Sequence, residues 1–495
     1  MKKTMKNRIP GVLIVVLLAI AMVLFMAILI KIKLLPTKFL LLAGGIFLLY
    51  AVCVFLLTRN SERVGAMICG CMMTMLLLIA LMLGTPYLTR AVDTLGNITS
   101  VNVEIADMGV YVRTDSTMTQ LEDLTGGSIG MMEQLDRENS EKALEDIQSQ
   151  IGTLQVQTVS GIAELIDALL DTDVDAILVN SAYLDLLDDM DNYADTDEQI
   201  RKIYAYQAET VLDKPDKKPT QPDDWNILDL FGEKETDNGR VFTMYISGID
   251  SRSGLIAKSN SDVNILATVN VDTRQVLLVS TPRDFYVPLS ISGGIPDKLT
   301  HAGIYGIDVS VDTMEMLYNT EIDYYFRVNF SGFEKIIDAL GGVTVHSDYT
   351  FTAGGYSYYK GENNLDGAQA LRFARERKSF STGDRQRGKN QMAVIKAVIE
   401  KAMSPAILTG YMDIMEIVSG SFETSMPYDV IAELVRDQLD KGGSWNVVSC
   451  SVDGSDGNKI PYSMSTSAYV MIPDQSTVDA AIAKIQQVKN GEILN

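Results

Sequence analysis

Three uninterrupted apolar runs within the first ninety residues, near Gly11–Ile30, Pro36–Leu57 and Val64–Gly84, constrain this chain more than any other feature. A bilayer core takes about 20 helical residues to cross, and each run is long enough. A cleaved signal peptide is the competing reading for the first run. That run exceeds a signal h-region, however, and two more follow at once. Residues 1–90 are therefore expected to form a membrane anchor of three transmembrane helices. Lys2, Lys3, Lys6 and Arg8 precede the first run, and Arg59 and Arg63 separate the second from the third. Lys31, Lys33 and Lys38, between the first and second, oppose that trend. The positive-inside balance favours an inside N-terminus. Three crossings then make a multi-pass protein of the cell membrane with everything after Gly84 extracytoplasmic.

The remaining sequence reads as α/β. With 495 residues there is room for two or three domains beyond a single core. A net charge of −22 opposes a nucleic-acid partner, which requires a basic footprint. Of the four cysteines, Cys53, Cys69 and Cys71 lie in the apolar runs and Cys450 stands alone, so neither a disulfide framework nor a zinc spacing is available. Residues 99–210 read as a small accessory α/β domain. Its expected strands are Val101–Ile105, Val110–Arg113 and a buried Asp175–Val179, and its expected helices Leu135–Ile151 and Ala182–Ala208. It shows no chemical constellation, which suits an accessory or spacer role. Residues 211–240, with Pro215, Pro219 and Pro222 among charges, have linker composition.

A denser α/β alternation fills 241–490, expected to be one domain with a mixed sheet. Strand Val241–Ser247 precedes a hairpin of Val263–Val271 and Val276–Ser280. Strand Tyr324–Asn329 leads into helix Phe333–Leu340, which Gly341-Gly342 closes before strand Val343–His346. Gly388–Met403 is helical in pattern, and no Gly-rich nucleotide loop is present.

Four clusters in this region carry chemistry, each at an element end, where sites collect. Asp250 and Arg252 follow the first strand, and Ser261-Asp262 open the next, so Asp250 and Asp262 flank one loop. Two such carboxylates suit Mg²⁺, which is held by one or two carboxylates plus substrate phosphates; two unrelated loop aspartates are the alternative. Thr281-Pro282-Arg283-Asp284 ends the hairpin, where proline closes the ladder and Arg283 projects from the sheet edge. The densest cluster holds Arg372, Arg375, Arg377, Asp384, Arg385, Arg387 and Gln391. An extended segment from Phe373 would point Arg375 and Arg377 the same way. On a helix, Arg387 and Gln391 share a face near an N-terminus that favours anions. Guanidinium forks fit phosphate oxygens, and a structural Arg–carboxylate network is the competing account. Metal-binding carboxylates with diphosphate-binding arginines are the parts phosphoryl transfer needs.

Taken in order, GIDSR, SDVNILATVN, STPRDFYV, KLTHAGIYG, LRFARERKSFSTGDRQRGKNQ and the closing YVMIPDQSTVDAAIAKIQ resemble the LytR-CpsA-Psr family of cell-wall glycopolymer ligases, over about Val241 to Val488. Membrane helices followed by an accessory domain resemble its capsule-type members. The resemblance implies an α-β-α sandwich with a central mixed sheet that buries a polyprenyl tail, its diphosphate at the pocket mouth. It implies Mg²⁺, or Mn²⁺, on Asp250 and Asp262, and pyrophosphate contacts from Arg252, Arg283, Arg375, Arg377, Arg387 and Gln391, with Lys298 and Arg372 as neighbours. Asp284 and Asp384 would orient arginines or assist proton transfer. Many relatives carry a second arginine three positions after the one matching Arg387; here that residue is Asn390, which receives no phosphate role.

The implied activity is a phosphotransferase that moves capsule, wall teichoic acid or a similar polymer from polyprenyl pyrophosphate to peptidoglycan. The expected acceptor is the C6 hydroxyl of N-acetylmuramic acid. The alternatives are a polyprenyl-pyrophosphate hydrolase, a non-catalytic regulatory module that binds the lipid pyrophosphate, and a transcriptional attenuator, which the extracytoplasmic placement opposes. His301 and His346 support no His-based site, and Ser261 has no evident base partner. Tyr356, Tyr358 and Tyr359 form either a sugar-stacking or a packed loop.

Overall fold

A helix that is apolar all round has no face to turn toward water. A computed structural model gives three such helices, α1 (Ile9–Lys31), α2 (Thr37–Thr58) and α3 (Val64–Ile98). The structure describes residues 9–59, 64–98, 103–211 (apart from 134, 191 and 194), 240–249, 257–404, 414, 417–418 and 420–494. Stretches long and apolar enough to cross a membrane cover Val12–Lys31, Thr37–Thr58 and Val64–Pro86. Leu18, Met22, Val54 and Leu81 form a small interior. Leu41, Leu76 and Met82 remain 70–77% exposed, which suits a lipid-facing surface. Gly70 lets α2 approach α3, since a Cβ there would lie 2.5 Å from the Thr58 methyl.

The first soluble sheet is built on β1 (Val103–Arg113), with β2 (Ser128–Met132), β3 (Gln155–Val159), β4 (Ala176–Asn180) and β5 (Ile200–Val211), in the order β3-β2-β4-β1-β5. Helices α4 (Arg137–Ile151) and α5 (Ile162–Leu170) cover its two faces: Ala143 and Ile147 pack on Met108 and Leu178, while Leu165 and Ile166 pack beside Ile177 and Val179. The buried strand expected at Asp175–Val179 is β4. The two short strands expected within 101–113 are one continuous β1. The helix expected over Ala182–Ala208 is absent: a 3₁₀ stretch at Ser181–Asp189 and a short helix at Thr196–Gln199 precede β5. β5 pairs with β1 from Val103↔Val211 to Arg113↔Ile200. The acidic residues suggested a solvated helix, but Ile200, Ile203, Tyr204, Tyr206 and Val211 favour a pleated surface, and a long unpaired β1 edge supplies the ladder.

The second sheet has six strands. β6 (Val241–Ile249), β7 (Ser261–Asn270) and β8 (Gln275–Thr281) run antiparallel. After a small hairpin of β9 (Tyr286–Pro288) and β10 (Pro296–Lys298) and helix α6 (Ile307–Tyr318), β11 (Tyr324–Asn329) joins parallel to β6. There follow α7 (Phe330–Ala339), β12 (Val343–Ser347), the hairpin of β13 (Phe351–Ala353) and β14 (Tyr356–Tyr358), β15 (Gly361–Leu365), α8 (Gly367–Arg375) and α9 (Asp384–Ala402). The chain closes with β16 (Phe422–Thr424), α10 (Tyr428–Lys441), β17 (Asn446–Ser451), β18 (Gly454–Lys459), β19 (Ala468–Pro473) and α11 (Gln475–Lys489). The strand order is β16-β11-β6-β7-β8-β17. β8 is buried along its whole length, so both faces need cover. α6 and α11 supply Met314, Tyr318, Val478 and Ile485 against Leu266, Leu277 and Val279. On the other face α9 passes with Gly388 close to the Ser280 hydroxyl. The result is the expected α-β-α sandwich with a mixed sheet. Gly341 and Gly342 end α7 at φ 72° and 82°, with their N–H groups donating to Asp338 O and Ile337 O.

The two sheets, one in the expected accessory segment and one in the expected 241–490 segment, fall in one compact unit of residues 100–400, 420–425 and 445–495. Ile304, Met464 and Ala468 of the second sheet's domain share an apolar core with Leu165, Tyr183 and Leu186 of the first. The residues between the two, 212–239, lie outside the described positions. α10 packs with the N-terminal helices. Ile32 and Leu34, between α1 and α2, are buried with Ala432 of α10. The Tyr428 hydroxyl donates to Ile32 O at 2.7 Å. Lys33 and Lys38 pair with Asp429 and Asp440 at 3.5 and 3.0 Å.

Gly367 opens α8 where α7 passes so close that a Cβ would collide with Glu334 O. Gly367→Ala is expected to destabilise this packing by about 1–3 kcal/mol and lower the thermal midpoint of the detergent-solubilised protein, read by differential scanning fluorimetry. An unchanged midpoint would contradict the close approach.

Candidate functional site

Strand polarity collects the candidate residues at one end of the second sheet. β6, β8 and β11 finish there and β7 begins there, so Asp262, Arg283 and Phe330 emerge together. Ile249 pairs with Ser261, which puts the residue before Asp250 opposite the residue before Asp262. Asp250 and Arg252 themselves lie outside the described residues.

A buried polar network steadies the start of β7. The Ser261 hydroxyl lies 2.7 Å from that of Ser247 and 2.9 Å from that of Tyr245, while Tyr245 donates to Asn264 Oδ1 at 2.6 Å. Ser261 is thus a buried structural hydroxyl. Asp262, beside it, accepts from Arg283 Nη1 at 2.9 Å; both side chains keep over a fifth of their surface exposed. Asp284 is nearly buried, 3.6 Å from Arg283 Nε and 3.8 Å from Lys298 Nζ, and Lys298 is 2% exposed. From α9, Arg387 pairs with Asp384 across one turn. The structure therefore brings Asp262, Arg283, Asp284, Lys298, Asp384 and Arg387 together.

The two buried arginines differ electrostatically. For Arg283, burial works against the charge, but Asp262 and Asp284 outweigh it and the pKa rises. For Arg387, burial also works against the charge. Asp384, Asp262 and Asp284 only partly offset it and Arg283 adds repulsion, so the pKa is depressed.

Arg375 is not on an extended segment: with Arg372 it occupies the last turn of α8, whose start is fixed by a capping box between Asp366 and Gln369. Arg375 lies 4.0 Å from the Phe330 ring centre, a partner not singled out in the sequence although it directly follows a recognisable strand. Arg372 packs along Gly354, and Arg377 is exposed beyond the helix. Gln391 follows Arg387 by one turn of α9, as its spacing predicts. Arg385 points elsewhere: its Nε donates to Asp453 at 2.7 Å and its Nη2 to Gly454 O at 2.7 Å, an ion-pair clamp on β18. Tyr358 is buried, stacked on Phe351 with its hydroxyl on Gln369 O, whereas Tyr356 and Tyr359 are exposed. His301 Nδ1 lies 2.6 Å from Asp297 and 2.8 Å from Ser463. All three are buried and both contacts fall on one ring nitrogen, so the trio is a structural tie.

Among the described residues no group of three His, Cys, Asp or Glu side chains is arranged around a metal position. A cation held by the Asp262 carboxylate would take its other ligands from phosphate and water.

An α-β-α sandwich with arginines and carboxylates gathered at one sheet end, on a chain with three membrane-length helices, defines a membrane-anchored protein built to handle an anion. The chain belongs to the LytR_cpsA_psr family, whose model matches residues 201–487. A polyisoprenyl-teichoic acid–peptidoglycan teichoic acid transferase TagU of Oceanobacillus iheyensis is 35% identical over 252 residues, 49% of this chain and 75% of that protein. TagU of Bacillus subtilis strain 168 is 34% identical over 220 residues, 44% of this chain and 70% of that protein. The crystal structure of B. subtilis TagV overlays with a TM-score of 0.44 at 26% identity, over 52% of this chain and 99% of TagV. A DNA polymerase processivity factor model matches residues 68–179. That stretch starts inside α3 and stops before β5, so it follows no folding unit.

Arg387→Ala is expected to weaken binding of inorganic pyrophosphate by about tenfold to a hundredfold, the value of a charge-assisted hydrogen bond. Arg385→Ala should change it less than about twofold. Isothermal titration on both variants checks this, and equal losses would remove Arg387 from the site.

Proposed function

We propose that this chain is a phosphotransferase that moves a glycopolymer from a polyprenyl-pyrophosphate carrier to peptidoglycan. The observation that carries the reading is the meeting of the Arg387–Asp384 and Arg283–Asp262 pairs at one sheet end. The TagU relatives, which are polyisoprenyl-teichoic acid–peptidoglycan teichoic acid transferases, support the substrate class, with teichoic acid as the polymer.

In this reading Arg252, Arg283, Arg375, Arg377, Arg387 and Gln391 bind the diphosphate. A peptidoglycan hydroxyl attacks the phosphorus that bears the glycopolymer. The new phosphodiester forms as the bond to polyprenyl phosphate breaks, and the hydroxyl proton passes to a carboxylate of the site. Mg²⁺ or Mn²⁺, held by Asp250 and Asp262, would neutralise charge on the diphosphate oxygens. Arg283 fixes Asp262, and Asp284 with Lys298 fixes Arg283, so the charges are arranged before the substrate arrives.

We further propose an inside N-terminus and extracytoplasmic soluble domains. The basic residues Lys2, Lys3, Lys6 and Arg8 ahead of the first span support this.

The full-length protein in detergent, given a polyprenyl-pyrophosphate-linked glycan, should release polyprenyl phosphate only with a peptidoglycan oligomer present. Chelation should abolish release and added Mg²⁺ restore it. Arg375→Ala and Asp250→Ala should each lose about a hundredfold or more, as loss of one preorganised charge contact does. Equal release without acceptor would make the protein a hydrolase, and tight lipid binding without release a binding module. In a background with the four cysteines replaced by serine, Lys33→Cys should react with an impermeant maleimide on intact cells; a C-terminal reporter active only in the cytoplasm would reverse the topology.

A further inference from the structure

The accessory domain touches the second sheet's domain through a polar contact as well as an apolar one, and the polar contact is built into the site's framework. Glu104, on β1, is 1% exposed. Its Oε1 accepts from Arg327 Nη1 at 2.6 Å and from the Ile307 backbone N–H at 3.2 Å, at the start of α6. Gly306, at φ 135°, admits this carboxylate, since a Cβ there would stand 2.5 Å from Glu104 Oε2. Arg327 is also held by Glu423, whose Oε2 accepts from Nε at 3.0 Å and Nη2 at 2.7 Å. Arg327 lies on β11 opposite Ser247 of β6, two residues before the end of each strand.

The next residue of β1 reaches the loop between the two candidate metal carboxylates. Ile105 forms a bridge with Ala257, and Ile105 O accepts from the Lys258 N–H at 2.9 Å. Ser259 N–H then donates to Gly303 O at 3.3 Å, where any side chain at 303 would collide with Ser259 O. Residues 257–261, which lead into Asp262, are thus held between β1 of the accessory domain and the Gly303 turn. The same turn is gripped from the accessory side, because Tyr305 packs edge-on to Tyr183 with ring centres 6.1 Å apart.

We propose that the accessory domain is a positioning element of the transfer site, and that Glu104 is its positioning residue. Glu104 locks β1 against β11 and α6, and Ile105, one residue on, fixes the path of 257–261 and so the placement of Asp262 relative to Arg283. The inference rests on the transfer reading above for its catalytic consequence, while the ordering of 257–262 is independent of it. Phosphoryl transfer depends on placement within about 1 Å, where an error costs on the order of a hundredfold, so slackening this segment should reduce turnover more than substrate binding.

The test uses the full-length protein in detergent and compares Glu104→Gln with Ile147→Ala. Ile147 is a buried apolar residue of α4, chosen to lower the thermal midpoint without removing any of β1's polar contacts. Glu104→Gln should lower kcat by about tenfold or more, leave KM for the lipid within about threefold, and speed amide hydrogen exchange across 257–262. Ile147→Ala should leave kcat and that exchange at wild-type values at a temperature where both variants are folded. Wild-type exchange at 257–262 in Glu104→Gln, or an equal kcat loss in Ile147→Ala, would overturn the proposal. If the wild-type protein shows no acceptor-dependent transfer, the functional reading fails, and the exchange comparison still decides whether Glu104 orders the segment.

Discussion

The guanidinium of Arg327 is 2% exposed, and its burial is the condition on which the two-sheet unit is organised. A charge taken out of water costs several kcal/mol unless its donors are matched by close acceptors. Here the acceptors come from two places far apart in the chain, Glu104 on β1 and Glu423 on β16. Burial opposes the Arg327 charge, yet the two carboxylates outweigh it and its pKa rises. Removing either would leave guanidinium N–H donors buried without their acceptor, so the arrangement favours one register of the accessory sheet against the second sheet. The apolar contacts around Ile304 and Met464 add area but little directional information.

The same logic of matched and unmatched charge separates structure from chemistry at the sheet end. Arg283, Asp262, Asp284 and Lys298 nearly satisfy one another, which holds a geometry. Arg387 lies among Asp384, Asp262 and Asp284 beside Arg283, and its burial still depresses its pKa. Arg385 is an instructive contrast, since it lies in the same basic run but is fully spent on Asp453 and Gly454.

Much of this was legible in the sequence wherever local pattern and tertiary need agree. β11 matches its expected span, Gly341-Gly342 closes α7, and Arg387 with Gln391 shares a face of α9 because helical spacing is rigid. The misreadings came where a distant partner decides. Ile200–Val211 is a strand because β1 needs an edge partner, and acidic composition hides that. Arg372 and Arg375 are helical because Asp366 and Gln369 cap α8 upstream of the basic run. Glu104 could not be singled out at all. One acidic residue in an acidic chain acquires meaning only from Arg327, which lies 223 positions away.

Lys33 and Lys38 make a related point about membrane topology. Counting basic residues treats each as a free charge facing the lipid headgroups, and by that count these lysines oppose the orientation favoured by the N-terminal cluster. Asp429 and Asp440 pair with them at 3.5 and 3.0 Å. Exposed pairs of this kind contribute little stability. Their effect is local: they tie the α1–α2 connection to α10.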